Sequence, residues 1–244
     1  MERFEEQAVV LSTLDYSDAD RLVTLLTENH GKLTAFAAGA RKSRRRFAGA
    51  LQPFTLVRAR LVERHGDTFR LDGADIHQAF SRIREDLPLI ARALYCLELC
   101  RELVRDREPH PALFALLVDH LHLLNERAAG PSSVIAFELD ALAHAGLMPR
   151  FDQCALCGRP PGDEPRFDPH HGGAVCAACS HRARGAIPVS AQLVRSMCAI
   201  QAGERSPLSP LVRQKARELL NTFIAHHIGR QLRSVAFMTQ VGLD

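Results

Sequence analysis

Four cysteines form two Cys-x-x-Cys pairs, Cys154/Cys157 and Cys176/Cys179, with 18 residues between the pairs. A two-residue gap lets both sulfurs of a pair reach one tetrahedral ion at about 2.3 Å, and the stretch between pairs falls within the ~15–20 residues expected of a four-thiolate zinc site. The chemistry is structural, because four thiolates leave no open position for a reacting water. A disulfide redox centre is the plain alternative. It needs a single pair in a βαβ setting, and here both pairs flank a Pro- and Gly-rich stretch. His170, His171 and His181 are nearby substitutes for a missing thiolate. Cys96, Cys100 and Cys198 lie in apolar helical stripes and read as small hydrophobes.

The second constellation is Arg41-Lys42-Ser43-Arg44-Arg45-Arg46, five cations in six residues, followed by Phe47. Such a run calls for a polyanion or must bear its own repulsion. A loop between strands can project these side chains onto a phosphate backbone. Strand geometry adds Lys32, Arg58 and Arg60 as extensions of the surface. Phe47 reads either as a base-stacking ring or as a plug in the domain core. A solvated loop, or one facing anionic lipid, is the alternative. Arg213, Lys215, Arg217, Arg230 and Arg233 read as a wet helix face.

Other chemistry is poorly supported. There is no Gly-x-x-x-x-Gly-Lys-Ser/Thr, so nothing that would cradle ATP, and neither Gly-x-Ser-x-Gly nor His-Glu-x-x-His occurs. Asp15, Asp18 and Asp20 could hold Mg2+ in a nuclease, or could simply lie in a solvated turn. His120/His122 and His226/His227 are spaced so that neither pair shares a helix face.

The elements that must position these groups change character along the chain. Residues 7–14, 21–27, 32–38 and 54–62 read as strands, a fifth begins at 68, and 65–67 is a turn. In the fourth, Val57, Ala59 and Leu61 face one way while Arg58 and Arg60 face the other. Five short strands suggest a small barrel or sandwich. From Asp86 the period becomes helical, with Ile90, Leu94, Leu97 and Cys100 in one stripe ended by Pro109. Pro111 opens a second helix. Ser132 or Ser133 caps a third, which Gly146 closes. Residues 151–182 keep no apolar period. Ser190 then caps a short helix, and Pro207 or Pro210 opens a longer one. The expected division is 1–80 for the β-domain, 81–150 for the first helical part, 151–182 for the metal-binding insertion and 183–244 for the second helical part. With 244 residues the chain suits one to three domains, and 46% apolar against 24% charged residues argues against disorder. No uninterrupted run of ~18 apolar residues exists, so no membrane partner is expected. The acidic start carries no signal-peptide pattern and the seven cysteines are odd in number, which together suggest reduced thiols and a cytoplasmic protein.

Gly31-Lys32 entering a strand, Gly39-Ala40-Arg41-Lys42-Ser43 with Arg44 to Phe47, then Gly49-Ala50-Leu51-Gln52-Pro53-Phe54, resemble the N-terminal domain of the RecO family of bacterial recombination mediators. The middle helices, the cysteine quartet and Leu232-Arg233-Ser234-Val235-Ala236-Phe237 fit the same family, so the resemblance covers essentially the whole chain. It implies an α+β architecture, with an OB-fold barrel followed by a helical domain carrying a zinc-bearing insertion. It implies a non-enzymatic protein that binds single- and double-stranded DNA and anneals complementary strands without ATP. The family works with RecR, and often with the tail of single-stranded-DNA-binding protein, to let RecA replace that protein on DNA. The resemblance therefore assigns DNA contact to Arg41, Lys42, Arg44, Arg45 and Arg46, and a place at the nucleoid. Two other readings compete: a zinc-stabilised protein-docking module with an incidental basic loop, and the Mg2+-dependent nuclease.

Overall fold

The computed structural model describes residues 3–43, 45–64 and 68–242. Arg44 and the turn at 65–67 lie outside them. The chain divides into two compact units, 1–128 and 129–244.

The first unit is built on five strands, β1 (Arg3–Asp15), β2 (Arg21–Thr27), β3 (Gly31–Ala37), β4 (Leu56–Glu63) and β5 (Phe69–Gln78). They close a barrel in the order β1-β2-β3-β5-β4, with β1 returning to β4 and β3 meeting β5 in parallel. This is the OB-fold. Alternation drives it. In β3, Leu33, Ala35 and Ala37 point inward while Lys32, Thr34 and Phe36 point out; in β4, Val57, Ala59 and Leu61 fill the interior. The expected fifth strand runs on to Gln78, past Asp72, Gly73 and Asp75, because β4 pairs with it along that length.

Asp86 caps α1 (Leu87–Leu103) by accepting from the Leu89 N–H, and Pro111 opens α2 (Pro111–Asn125). α1 stops at Leu103, six residues before Pro109. The freed connector folds back on the barrel, where Arg107 N–H donates to the Lys32 carbonyl. Gly31, at φ 70°, makes room for it: a Cβ there would lie 2.0 Å from the Glu108 carbonyl oxygen. Gly31→Ala combines a left-handed backbone, which costs about 1–2 kcal/mol for a residue with a Cβ, with a backbone clash. We expect a loss of stability above that range, read as a lower urea midpoint; an unchanged midpoint would show that the connector gives way freely.

The second unit contains α3 (Ser133–His144), α4 (Ala191–Gln201), α5 (Pro210–Ile228) and α6 (Arg233–Gln240). Ser190 and Ser209 cap α4 and α5 with their hydroxyls. Ser132 sits at the start of α3, but its hydroxyl accepts from Leu208 N–H instead of capping the helix. Gly146 at φ 72° closes α3, as its spacing predicts. α6 follows the Gly229 stop and was not visible in the pattern. Between α3 and α4, residues read as patternless form a three-stranded sheet of β6 (Arg166–Asp168), β7 (Gly173–Val175) and β8 (Ile187–Pro188) in the order β7-β6-β8. Phe167 of β6 stacks on Phe151 at 5.4 Å and meets Phe223 of α5 edge-on at 5.7 Å, which seats this sheet on the helices.

One expectation fails here. Arg217 does not belong to a wet face. It is 7% exposed and forms a buried ion pair with the fully buried Glu138 of α3, joining α3 to α5. A guanidinium at this depth needs a carboxylate beside it.

Candidate functional site

The cysteine quartet is assembled around the short sheet. Cys154 and Cys157 lie on a knuckle where Gly158, at φ 72°, donates its N–H to the Cys154 carbonyl at 2.8 Å. Cys176 follows β7, and Cys179 donates its N–H to the Cys176 carbonyl at 3.0 Å in a 3-10 turn (Ala177–Arg182). The knuckles are joined by Ala155 N–H donating to the Ala174 carbonyl at 2.7 Å. The four sulfurs lie within 4.8 Å of one another, and Cys157 and Cys176 sulfurs are 3.8 Å apart. A tetrahedron with metal–sulfur bonds of about 2.3 Å has edges of about 3.8 Å. The residues therefore fit a metal ion, and the sulfurs can hold one with little rearrangement.

The electrostatics divide the thiols: a hydrogen bond with Cys157, then burial, pushes Cys179 up to about 12, while Cys157 is the readiest thiolate. A hydrogen bond from the Arg159 side chain, then one from the Arg159 backbone N–H, bring Cys157 down to about 6. The histidines considered as substitutes are not in the cluster: His171 Nδ1 pairs with the buried Asp168 at 2.7 Å. Among the described residues the four cysteines are the group that could hold a metal. Cys96 and Cys100 are buried in α1, as expected of small hydrophobes.

The basic run lies in the long loop between β3 and β4. Its foundation is apolar. Phe47 is 2% exposed and, with Ala50 and Leu51, belongs to the barrel core, so Phe47 is a plug and not a stacking ring. Its entry is tied to the β1–β2 turn: Asp20 accepts from Gly39 N–H at 2.8 Å and from Ser17 Oγ at 2.9 Å, and Arg41 N–H donates to the Ala19 carbonyl. The hydrogen bond from Gly39, then that from Ser17, holds the Asp20 carboxyl below the usual range.

Within that frame the cations differ. Lys42 and Arg45 are exposed, and neither has an ion pair among the described residues. Arg41 donates to the Ser17 carbonyl at 3.2 Å and shares Asp15 with Arg21. Arg46 donates to the Ala38 carbonyl and lies 5.1 Å over the Phe47 ring. An open cleft of about 410 Å³ runs beside the loop, lined by Arg21, Arg41, Ser43, Phe47 and Gln52. Arg21 escaped the sequence reading, since a single cation opening an apolar strand carries no pattern.

The three outlying cations sit differently. Lys32 Nζ donates to the Arg101 carbonyl at 2.9 Å and pairs with Asp106 at 3.2 Å, which makes it a strut between β3 and the connector. Arg58 pairs with Glu5 at 3.0 Å and Arg60 pairs with Asp75, so the outer face of β4 carries matched charge. Asp15 and Asp20, two of the three acids read as a possible Mg2+ site, are spent on these contacts: Asp15 on arginines, Asp20 on the loop entry.

An OB barrel with a cationic loop, followed by a helical unit bearing four clustered cysteines that could hold a metal ion, defines a class of OB-fold proteins with a cysteine-cluster helical unit. The comparisons narrow it. Residues 1–80 match the family model described as recombination protein O N terminal, and 84–236 match its C-terminal counterpart. The DNA repair protein RecO of Myxococcus xanthus (strain DK1622) is 63% identical over 244 residues, covering all of both chains. That of Anaeromyxobacter sp. (strain K) is 46% identical over 99% of this chain and 98% of its own. That of Geobacter sulfurreducens is 40% identical, over 96% and 97%. The chain belongs to the recombination protein O family, a family of DNA repair and recombination. Among the described residues no helix is long and apolar enough to cross a membrane.

Proposed function

We propose that the chain is a non-enzymatic recombination mediator that binds single- and double-stranded DNA and anneals complementary strands without ATP. It acts in the cytoplasm at the nucleoid. With RecR it assists RecA in loading onto single strands covered by single-stranded-DNA-binding protein. The observation that carries the reading is one loop, 41–46, whose cations stand on a core-anchored base at one end of the barrel. Cations that bind two backbones at once lower their mutual repulsion and let bases pair. We assign the phosphate contacts to Arg41, Lys42, Arg45 and Arg46, with Arg44 of the same run, and give Lys32, Arg58 and Arg60 at most a supporting part. One zinc ion per chain, held by Cys154, Cys157, Cys176 and Cys179, takes no part in any reaction and braces the 151–182 segment.

The test is annealing of two labelled complementary oligonucleotides without ATP or Mg2+. Wild type accelerates pairing; a folded variant with Arg41, Lys42, Arg44, Arg45 and Arg46 changed to Ala loses the acceleration. On single strands, five neutralised phosphates give a slope of log K against log[salt] of about −3.5. The variant's slope falls towards zero. Unchanged annealing by the variant would move the DNA site elsewhere and favour the docking-module reading.

A further inference from the structure

The outer face of the first three strands carries rings that the barrel core does not use. The register sets Leu14 beside Leu22, and Leu22 beside Phe36. These side chains point away from the interior, since their strand neighbours Val23, Ala35 and Ala37 point into it. Tyr16, in the turn after β1, completes the row: its ring meets Phe36 edge-on at 5.7 Å and is 64% exposed. Leu14 is 65% exposed. Single exposed apolar residues are ordinary, but two rings and two leucines in one row make a patch.

The patch has a cationic rim. Arg41 donates to the carbonyl of Ser17, the residue after Tyr16, and Arg21 opens β2 beside Asp15. The entry to the 41–46 loop is tied to the same turn through Asp20 and Ala19. Apolar rings next to phosphate-binding cations match the chemistry of an unpaired nucleotide, which has a charged backbone and a base with two free faces. A peptide added as a strand would pair with backbone at a sheet edge and leave this outward row of side chains unused, and β2, in the middle of the row, is paired on both sides along its length.

We propose that Tyr16 and Phe36 form a stacking platform for unpaired DNA bases. A strand whose phosphates lie on the loop cations lays its bases on these rings. The proposal rests on the DNA-binding reading above and adds to it a means of telling single strands from duplex, in which both base faces are already stacked. Two rings hold about one base each, so the platform marks a strand as unpaired and leaves most of its bases free to find partners.

The chain supplies its own probe. It has no Trp and two tyrosines, and the other one, Tyr95, is fully buried in α1. We expect oligothymidylate to quench the tyrosine emission of wild type and of Tyr95→Phe, and to leave that of Tyr16→Phe unchanged. By anisotropy of a labelled strand, Tyr16→Ala loses about 5- to 100-fold in single-strand affinity, Tyr16→Phe keeps it, and duplex affinity stays within about twofold in both. Unaltered single-strand affinity in Tyr16→Ala, or equal losses on single strand and duplex, overturns the platform and leaves the DNA-binding reading standing. Wild type that binds neither DNA at low salt overturns both.

Discussion

Cys154→Ser or Cys176→Ser is expected to release the metal and unfold residues 151–186, while the barrel stays folded. The reason is the size of what remains. The apolar cluster around the sulfurs consists of Cys154, Val175, Cys176, Cys179, Ala183 and Ala186 with Leu156 against it, three of those residues are the ligands themselves, and beyond it Phe151 and Phe167 are the rings that hold the segment to the helices. Strands of two and three residues add few ladder bonds. Ordering each residue costs about 1–2 kcal/mol of backbone entropy, which so small a core cannot offset. Structural zinc contributes about 10–16 kcal/mol in isolated finger peptides at neutral pH, enough to reverse that balance. Wild type should hold about one zinc per chain by elemental analysis. Limited proteolysis of either variant, or of wild type under a strong chelator, should cut first within 151–186. A metal-free chain with the protease resistance of wild type would refute the assignment.

The second large effect is expected at Glu138. Glu138→Ala takes the carboxylate away from the buried Arg217 guanidinium, which also donates to the Met238 sulfur at 3.8 Å. Removing one partner of a buried ion pair costs about 3–5 kcal/mol, because the remaining charge stays desolvated. We expect a drop of that size in the urea unfolding of the 129–244 unit, followed by helical circular dichroism. The double variant Glu138→Leu/Arg217→Met should recover most of it, since an apolar pair of similar volume owes no desolvation. A double variant as unstable as the single one would show that the pair is needed for more than mutual compensation.

The two residues also show where sequence stops being informative. Local pattern exposes the elements whose signals are local: β2 at 21–27, the inward face of β4, the helical onset at Asp86, the cap at Ser190, the opening of α5 at Pro210, and the cysteine quartet, whose spacing is its own signature. It misses contacts that depend on a distant partner. Arg217 reads as solvated because Glu138 lies 79 residues away, and the structural contacts of Lys32 leave no local trace because Arg101 and Asp106 are remote in sequence. β6, β7 and β8 are too short to show a period, and β5 beyond Leu71 is kept extended by β4 despite residues that disfavour strands. Phe47 was ambiguous for the same reason: whether a loop ring faces in or out is decided by the hole available to it.

That hole has a consequence in time. Phe47 and Leu51 fill the barrel, so the cationic loop is a piece of the core that reaches the surface. On the ribosome, β1, β2 and β3 can form a meander once residue 37 has emerged. β1 cannot close on β4 until its partner to Arg3, Val62, has been made. Until then the arginines hang on a chain with no interior to anchor it, and each phosphate contact must also order the loop. The competent surface therefore arises together with barrel closure, once β4 has been made.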